Sequence, residues 1–556
     1  MKNKYINENK YIFHIIILII IICINSISSF ECGFNELELE PKSLNITFNN
    51  KKRKTQSEYQ PIKIKADYSN LQKIGSMSDY NLNQIKEAIE ETLEEFPKFL
   101  NVQHISIGLN GIKDQIKAAC QINDIGNDYE NYLINNDVVI FPYFRNDLSS
   151  TTTAAATYCL YDINTYQPYL GVLCINSNIQ LYKKNAKRYL KTVFLHEITH
   201  ILIFHPSLLK RLGLIEIIDS VSYINSTKVI SKAKQHFNCE NLTKLQLENQ
   251  GGPGSLGSHW ETRYMLGDYM ISTDYLDTVI SDITLALFED SGFYQVNYYT
   301  GGLFKFGKNR GCSFFQDKCI EKGETKYPNE FCTSFLSDSC SPTRESKGQC
   351  MVYTYNDPVP EKFSYFSDPN QGGFFPCDYC PVTNINSPNA NIDYYPSNCK
   401  LGDSSLSSYG EIIGNTSFCF LSSLLPKSIN LALNYQAICY NVSCDNTNKK
   451  IIVSIGSSSI ECPTFGGTIT EPPGFNGIIE CPKYIDICSS EDNIICNDMF
   501  DCLNKKSKVD ERSYSSNGID WENGEDEPQI IYPNSSKFFI NNLYINFLII
   551  IIFLAK

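Results

Sequence analysis

A chain of 556 residues is too long for one small core and predicts about three or four folding units. With 42 % hydrophobic and 20 % charged residues its composition is globular, and 61 acidic against 48 basic residues leave a net charge of -13. That balance argues against a phosphate-binding surface, so nucleic acid is not an expected partner. The twenty-two cysteines point to an oxidising compartment, because their spacing is not that of repeated zinc knuckles.

The N-terminus agrees with export. Lys2, Lys4 and Lys10 precede an apolar run from Tyr11 to Ile24, and Asn25, Ser26, Ser28 and Ser29 offer a cleavage region, so residues 1–29 read as a signal peptide. Residues 30–60 are polar, show no sustained period and carry Lys51-Lys52-Arg53-Lys54, which reads as a pro-segment with a processing site near its end. Sequons at Asn45, Asn225, Asn241, Asn415, Asn441 and Asn534 are glycosylation candidates.

The folded part is expected to begin at Pro61, where Ile62, Ile64 and Ala66 alternate with polar residues as in a strand with one buried face. Asn81 can cap a helix whose Ile85, Ile89, Leu93 and Phe96 share a face, with Pro97 at its end. Val138 to Phe141 is a short apolar run before Pro142, and the proline predicts an edge strand. Leu190 to Phe204 reads as a helix that is apolar around most of its surface and therefore buried. A further helix is expected from Asp282 to Ser291, stopped by Gly292.

Within the apolar helix stands Leu195-His-Glu-Ile-Thr-His-Ile-Leu-Ile-Phe204. His196 and His200 are four apart, so they project from one helical face with Glu197 beside them. Two imidazoles and a carboxylate inside a buried helix need partners, and a Zn2+ ion supplies them. A catalytic zinc takes three protein ligands and keeps one position for water, so a third donor must come from elsewhere. His205, His236 and His259 lie downstream, and a distant Glu is another possibility.

Sixteen of the cysteines lie between Cys312 and Cys502, against four from Cys120 to Cys239, so the chain divides near residue 300 into a core-stabilised front and a disulfide-stapled back. Residues 503–536 read as an acidic stalk. The tail, residues 537–556, has an apolar run from Leu543 to Ala555, short against the roughly 20 residues a membrane-spanning helix needs. Small residues and a polar spacer before it match a lipid-anchor addition signal, with a short membrane tail as the alternative.

The helix motif together with Ser258-His259-Trp260-Glu261 and Gly267-Asp268-Tyr269-Met270 resembles the leishmanolysin family of metzincin zinc metalloproteases. The likeness continues through Ser281 to Tyr294, Val296 to Tyr298 and Gly307 to Cys312, and returns at Cys462 to Gly467 and Gly477 to Pro482. The resemblance implies an α+β fold: a metzincin-like catalytic domain, with a mixed sheet and active-site helix, followed by disulfide-rich central and C-terminal domains. It divides the chain into an N-terminal catalytic subdomain at 61–205, a central domain at 206–311 and a Cys-rich domain at 312–502.

It also implies a zinc endopeptidase of the cell surface or exterior, with protein or peptide substrates and a membrane attachment through the C-terminal anchor or tail. His196, His200 and His259 would hold one catalytic Zn2+, Glu197 would be the base, and Met270 would support the site from below. Cys32 matches a pro-segment cysteine of the family's precursors that blocks the metal. With Cys23 lost in the signal peptide and Cys32 set apart, twenty cysteines remain, enough for ten disulfides. One position departs from the pattern: the family has Gly three residues after the second histidine, and this chain has Ile203, for which a left-handed turn is costly. A catalytically weak relative serving in adhesion is the alternative that this departure supports.

Overall fold

The computed structural model describes residues 37, 39–44, 59–72, 77–104, 112–148, 152–178, 186–251, 254–273, 275, 277–298, 304–385, 397–401, 410–429, 435–488 and 499–506. The signal-peptide and tail readings, Cys32, Asn45 and Asn534 lie outside the described residues.

A five-stranded sheet organises the front of the chain. Its strands are β1 (Lys42–Leu44), β2 (Ile64–Ala66), β3 (Val138–Arg145), β4 (Ala154–Asp162) and β5 (Pro168–Asn176), in the spatial order β1-β4-β5-β3-β2. Only the β4/β5 pair is antiparallel; β1 on β4, β5 on β3 and β3 on β2 are parallel. Side chains alternate between the two faces, except at a register shift in β4 where Cys159 and Leu160 share one face. Val138, Ile140, Ala154, Ala156, Leu173 and Ile175 join the largest hydrophobic cluster, while Val139, Phe141, Ala155, Leu170 and Val172 join a second cluster on the opposite face. Because both faces are covered, these strands read as continuous apolar runs.

The strand at Val138 is not the edge strand that Pro142 suggested, since it lies between β5 and β2. The proline is tolerated for a local reason. Asp67 N–H donates to the Ile140 carbonyl, so Ile140 turns its polar groups towards β2. Pro142, two residues on, turns the same way, past Ala66 where β2 has ended, and its missing N–H breaks no ladder bond.

Helix α1 (Asp79–Leu93) buries Ile85, Ile89 and Leu93 as the periodicity requires, but its cap is Ser78 rather than Asn81: the Ser78 hydroxyl accepts the Asn81 N–H at 3.1 Å. Helix α2 (Ala186–Leu202) lies between α1 and the sheet. It buries Phe194, Leu195, Ile198, Ile201 and Leu202 completely. At about 1.5–3 kcal/mol for each such side chain, this burial outweighs the rim ion pair Lys187–Glu87, worth at most about 1 kcal/mol. Gly171 of β5 allows the close approach, because a Cβ there would meet Ile201 side-chain carbons at 2.5–2.8 Å.

After α2 come helix α3 (Thr227–Phe237) and helix α4 (Asp282–Asp290), which pack together. Ser281 caps α4 and Gly292 follows it at φ +77°, matching the expected stop. The back of the chain carries a six-stranded antiparallel sheet, in the order Ser458–Cys462, Lys450–Ile455, Gln436–Asp445, Ser417–Ser422, Ile478–Cys481, Gly467–Thr470. A last helix, α5 (Met499–Lys506), returns to the front. Its Met499, Phe500 and Leu503 enter the largest cluster, the Lys191 ammonium sits 4.5 Å from the Phe500 ring, and Lys98 donates to Asn504 at 2.6 Å.

Eight disulfides are defined: Cys120–Cys159, Cys239–Cys312, Cys319–Cys380, Cys332–Cys350, Cys340–Cys419, Cys399–Cys439, Cys444–Cys488 and Cys462–Cys481. Cys502 is also disulfide-bonded. Cys174 and Cys377, in contrast, are buried thiols, so the twenty cysteines from Cys120 onward do not make ten bridges. Cys174 alternates onto the second-cluster face of β5 and behaves there as a small apolar side chain. Among the sequons, Asn225, Asn241 and Asn415 are exposed, whereas Asn441 is half-buried and accepts a hydrogen bond from the Thr416 hydroxyl.

Candidate metal centre

Helix α2 brings His196 and His200 onto one face, with their Nε2 atoms 3.0 Å apart. His259 arrives from the loop after Leu247 and places its Nε2 3.2 Å from that of His196. Among the described residues these three histidines are the one cluster whose donor atoms all lie within 4.8 Å of one another.

Hydrogen bonding fixes the tautomers. The Nδ1–H of His196 donates to the Tyr269 carbonyl at 2.7 Å, and that of His200 to the Phe204 carbonyl at 2.7 Å. His259 donates from Nδ1 to the Ser258 hydroxyl at 2.8 Å; that hydroxyl is turned to accept because its own proton goes to the Gly254 or Ser255 carbonyl. A carbonyl can only accept, so each ring carries its proton on Nδ1 and aims a bare Nε2 lone pair at the common point.

Three lone pairs converging at this distance repel unless a cation lies between them. Nitrogens bound tetrahedrally to zinc at about 2.0–2.1 Å stand about 3.3 Å apart, close to the spacing seen here. The donor set therefore fits zinc. Burial favours the neutral, metal-binding form: it holds His196 down to about 4, and pushes His200 and His259 well below the ordinary imidazole range with the neighbouring imidazoles adding to the effect.

Ile203 departs from the expected glycine without adopting a left-handed backbone, since it is absent from the residues with positive φ. The helix closes instead with Ile203 N–H and Phe204 N–H both donating to the Thr199 carbonyl, at 2.9 and 3.0 Å. That closure leaves the Phe204 carbonyl facing His200 and buries Ile203 fully in the main cluster. His205 follows as the cap of a short helix, Pro206–Arg211, its Nδ1 accepting the Ser207 N–H. His236 is not in the cluster: its Nε2 donates to the Phe306 carbonyl and its ring stacks on Phe304.

Met270 is fully buried next to the centre, and its carbonyl accepts the Trp260 N–H at 3.0 Å. Asp268 holds this segment by accepting from Met270 N–H, Ser281 N–H and the Thr284 hydroxyl, and the Trp260 indole also donates to Thr284. The residue before the methionine thus orients the first histidine, while the methionine itself pairs with the neighbour of the third. Backbone acceptors such as Tyr269 and Phe204 leave no signature in a sequence; Ser258, directly before His259, is the one orienting group that residue type could have revealed.

A cleft opens beside His196 and Glu197. Its walls come from the start of β4 (Thr153, Ala154), from α2 (Tyr189, Thr192, Val193) and from the segment after Met270 (Ile271, Ser272, Thr273, Tyr275). Glu197 lines this cleft and is otherwise buried, a carboxylate held beside the metal-ligating face.

Comparison with known proteins gives a consistent assignment. The family model described as leishmanolysin matches residues 82–495. A leishmanolysin homolog of Crithidia fasciculata is 28 % identical over 344 residues, 58 % of this chain and 51 % of the relative. The leishmanolysin of Leishmania chagasi is 27 % identical over 427 residues, 70 % and 67 % of the two chains. A leishmanolysin-like peptidase of Drosophila melanogaster is 27 % identical over 310 residues, 49 % and 44 %. The chain spans about half the length of most of these curated relatives. With a three-histidine group able to hold a metal ion and a family match over most of its length, this chain belongs to the leishmanolysin family, a family of zinc metalloproteases.

Proposed function

We propose that this protein is a zinc-dependent endopeptidase that hydrolyses peptide bonds of proteins at the cell surface or outside the cell. The observation that carries the reading is the convergence of three Nδ1-protonated imidazoles on one point beside Glu197, at the edge of an open cleft. His196, His200 and His259 would hold the ion. Zinc supplies Lewis acidity there, lowering the pKa of water and polarising a scissile carbonyl.

The chain's own residues do the rest. Tyr269, Phe204 and Ser258 keep the imidazoles oriented and burial keeps them neutral, so the ligand set is organised before the ion arrives. Glu197 takes the proton of the attacking water and passes it to the leaving amine nitrogen, as a general base and then a general acid. The start of β4 and the segment after Met270 form the walls between which an extended peptide would lie. On this reading the sheet, α2 and the Met270 segment form a metzincin catalytic domain, followed from Cys312 by the Cys-rich domain. Cys32 as a latency ligand, glycans at Asn225, Asn241 and Asn415, and a C-terminal lipid anchor belong to the same proposal.

The adhesion alternative rested on Ile203, and Ile203 is accommodated without displacing the acceptor of His200. The test is casein cleavage by the purified protein, with and without a zinc chelator, beside a Glu197→Ala variant. Loss of about 10²–10⁴-fold in rate on removing the base, with zinc still bound, is expected. Undiminished cleavage by that variant would sink the assignment.

A further inference from the structure

Glu248 is fully buried and its carboxylate joins parts of the chain that the metal reading leaves unconnected. One oxygen accepts the Gln250 N–H at 3.0 Å, pinning the start of the loop that returns through Ser255 to His259. The other accepts two hydroxyls: Thr262, at 3.2 Å, three residues after the third histidine, and Ser272, at 3.0 Å, on the cleft wall. Its backbone brackets the ligand, donating to the His259 carbonyl and accepting from Gly257 N–H, both at 2.9 Å.

A buried carboxylate is costly unless its oxygens are satisfied, and smaller or apolar residues would fill this space without that cost. What the carboxylate adds is a tie between the His259 loop and the cleft wall. We infer that Glu248 is a positioning residue, which holds His259 in register with the two helix histidines and fixes the Ser272 wall against which a peptide would lie. The inference rests on the zinc reading of the three histidines. Gln at this position keeps the geometry: its carbonyl oxygen still accepts from Gln250, and its amide donates to the two hydroxyl oxygens. Ala leaves Gln250 N–H, Thr262 and Ser272 without their acceptor.

The experiment is zinc affinity of the full chain, measured by competition with a chromogenic chelator, for wild type, Glu248→Ala, Glu248→Gln and the double variant Thr262→Ala/Ser272→Ala. Near-UV circular dichroism checks each fold. Loss of an orienting partner around a metal site weakens binding by about 10–100-fold. Glu248→Ala is expected in that range and Glu248→Gln within about threefold of wild type on the same argument. The double variant, which removes both hydroxyls and spares the carboxylate, is expected between them and decides the matter if Glu248→Ala does not fold. Wild-type affinity in a folded Glu248→Ala or in the double variant, or a Gln variant as weak as Ala, overturns the inference alone. A wild-type chain that takes up no zinc overturns the metal reading and this inference with it.

Discussion

From Ile62 to Phe331 the chain folds mainly around one large hydrophobic cluster and closes two internal disulfides, Cys120–Cys159 and Cys239–Cys312. From Cys319 to Cys488 it closes six, and the six-stranded sheet there has a much smaller cluster of its own. The front has enough apolar surface to bury a helix carrying two imidazoles and a carboxylate, and so to keep those imidazoles neutral. The back has less to bury and relies on restricting its unfolded chain. The two are nevertheless joined by side-chain hydrogen bonds: Asp277 accepts from Thr343, Ser346 and Asn398, and Gln250 donates to Asp378 at 2.6 Å.

The contrast is broken most severely by reduction. Each bridge is worth about 2–4 kcal/mol, so complete reduction is expected to unfold the Ser417–Cys481 sheet while α2 keeps its amide protection. Hydrogen exchange followed by mass spectrometry reads both regions at once, and simultaneous loss of protection would refute the division. The Cys444–Cys488 bridge, with Cys444 exposed, should open before the buried Cys120–Cys159.

The next effects probe the front core. Ile203→Gly would restore the family residue, yet here it removes a fully buried side chain where no positive φ is required. A destabilisation of about 2–5 kcal/mol in denaturant unfolding is expected. Gly171→Ala inserts a methyl against Ile201 and should cost about 1–3 kcal/mol by the same measurement. An equivalent of either change in the back sheet that disturbed α2 as strongly would argue against two separate modes of stabilisation.

The smallest effect is on pH dependence. Burial raises Asp268 from 3.8 to about 6 in the folded state. The folded chain then holds this proton more tightly than the unfolded one, so the contribution to stability is fullest below about pH 4 and declines as pH rises towards about 6. Thermal melts across that window should show a slope that Asp268→Asn removes, even though the amide also weakens the bonds to Met270 and Ser281.

Much of this was written in local sequence. The four-residue spacing of His196 and His200, the apolar surface of α2, the face of α1, the stop at Gly292 and the crowding of cysteines after Cys312 are short-range patterns, and helix period or composition is enough to read them. The choice among His205, His236 and His259 was not open to such reading without the family resemblance, because a third ligand is selected by where distant loops pack. Tertiary structure alone placed Pro142 inside the sheet, by ending the β2 pairing two residues before it, and let Ile203 stand where a glycine was expected, by closing α2 onto the Thr199 carbonyl. It also left Cys174 and Cys377 as thiols, since bridging depends on which cysteines meet and not on how many there are. The sequence by itself determined which groups could bind a metal; packing decided which of them face one another, because only burial among specific neighbours orients an imidazole and removes its proton.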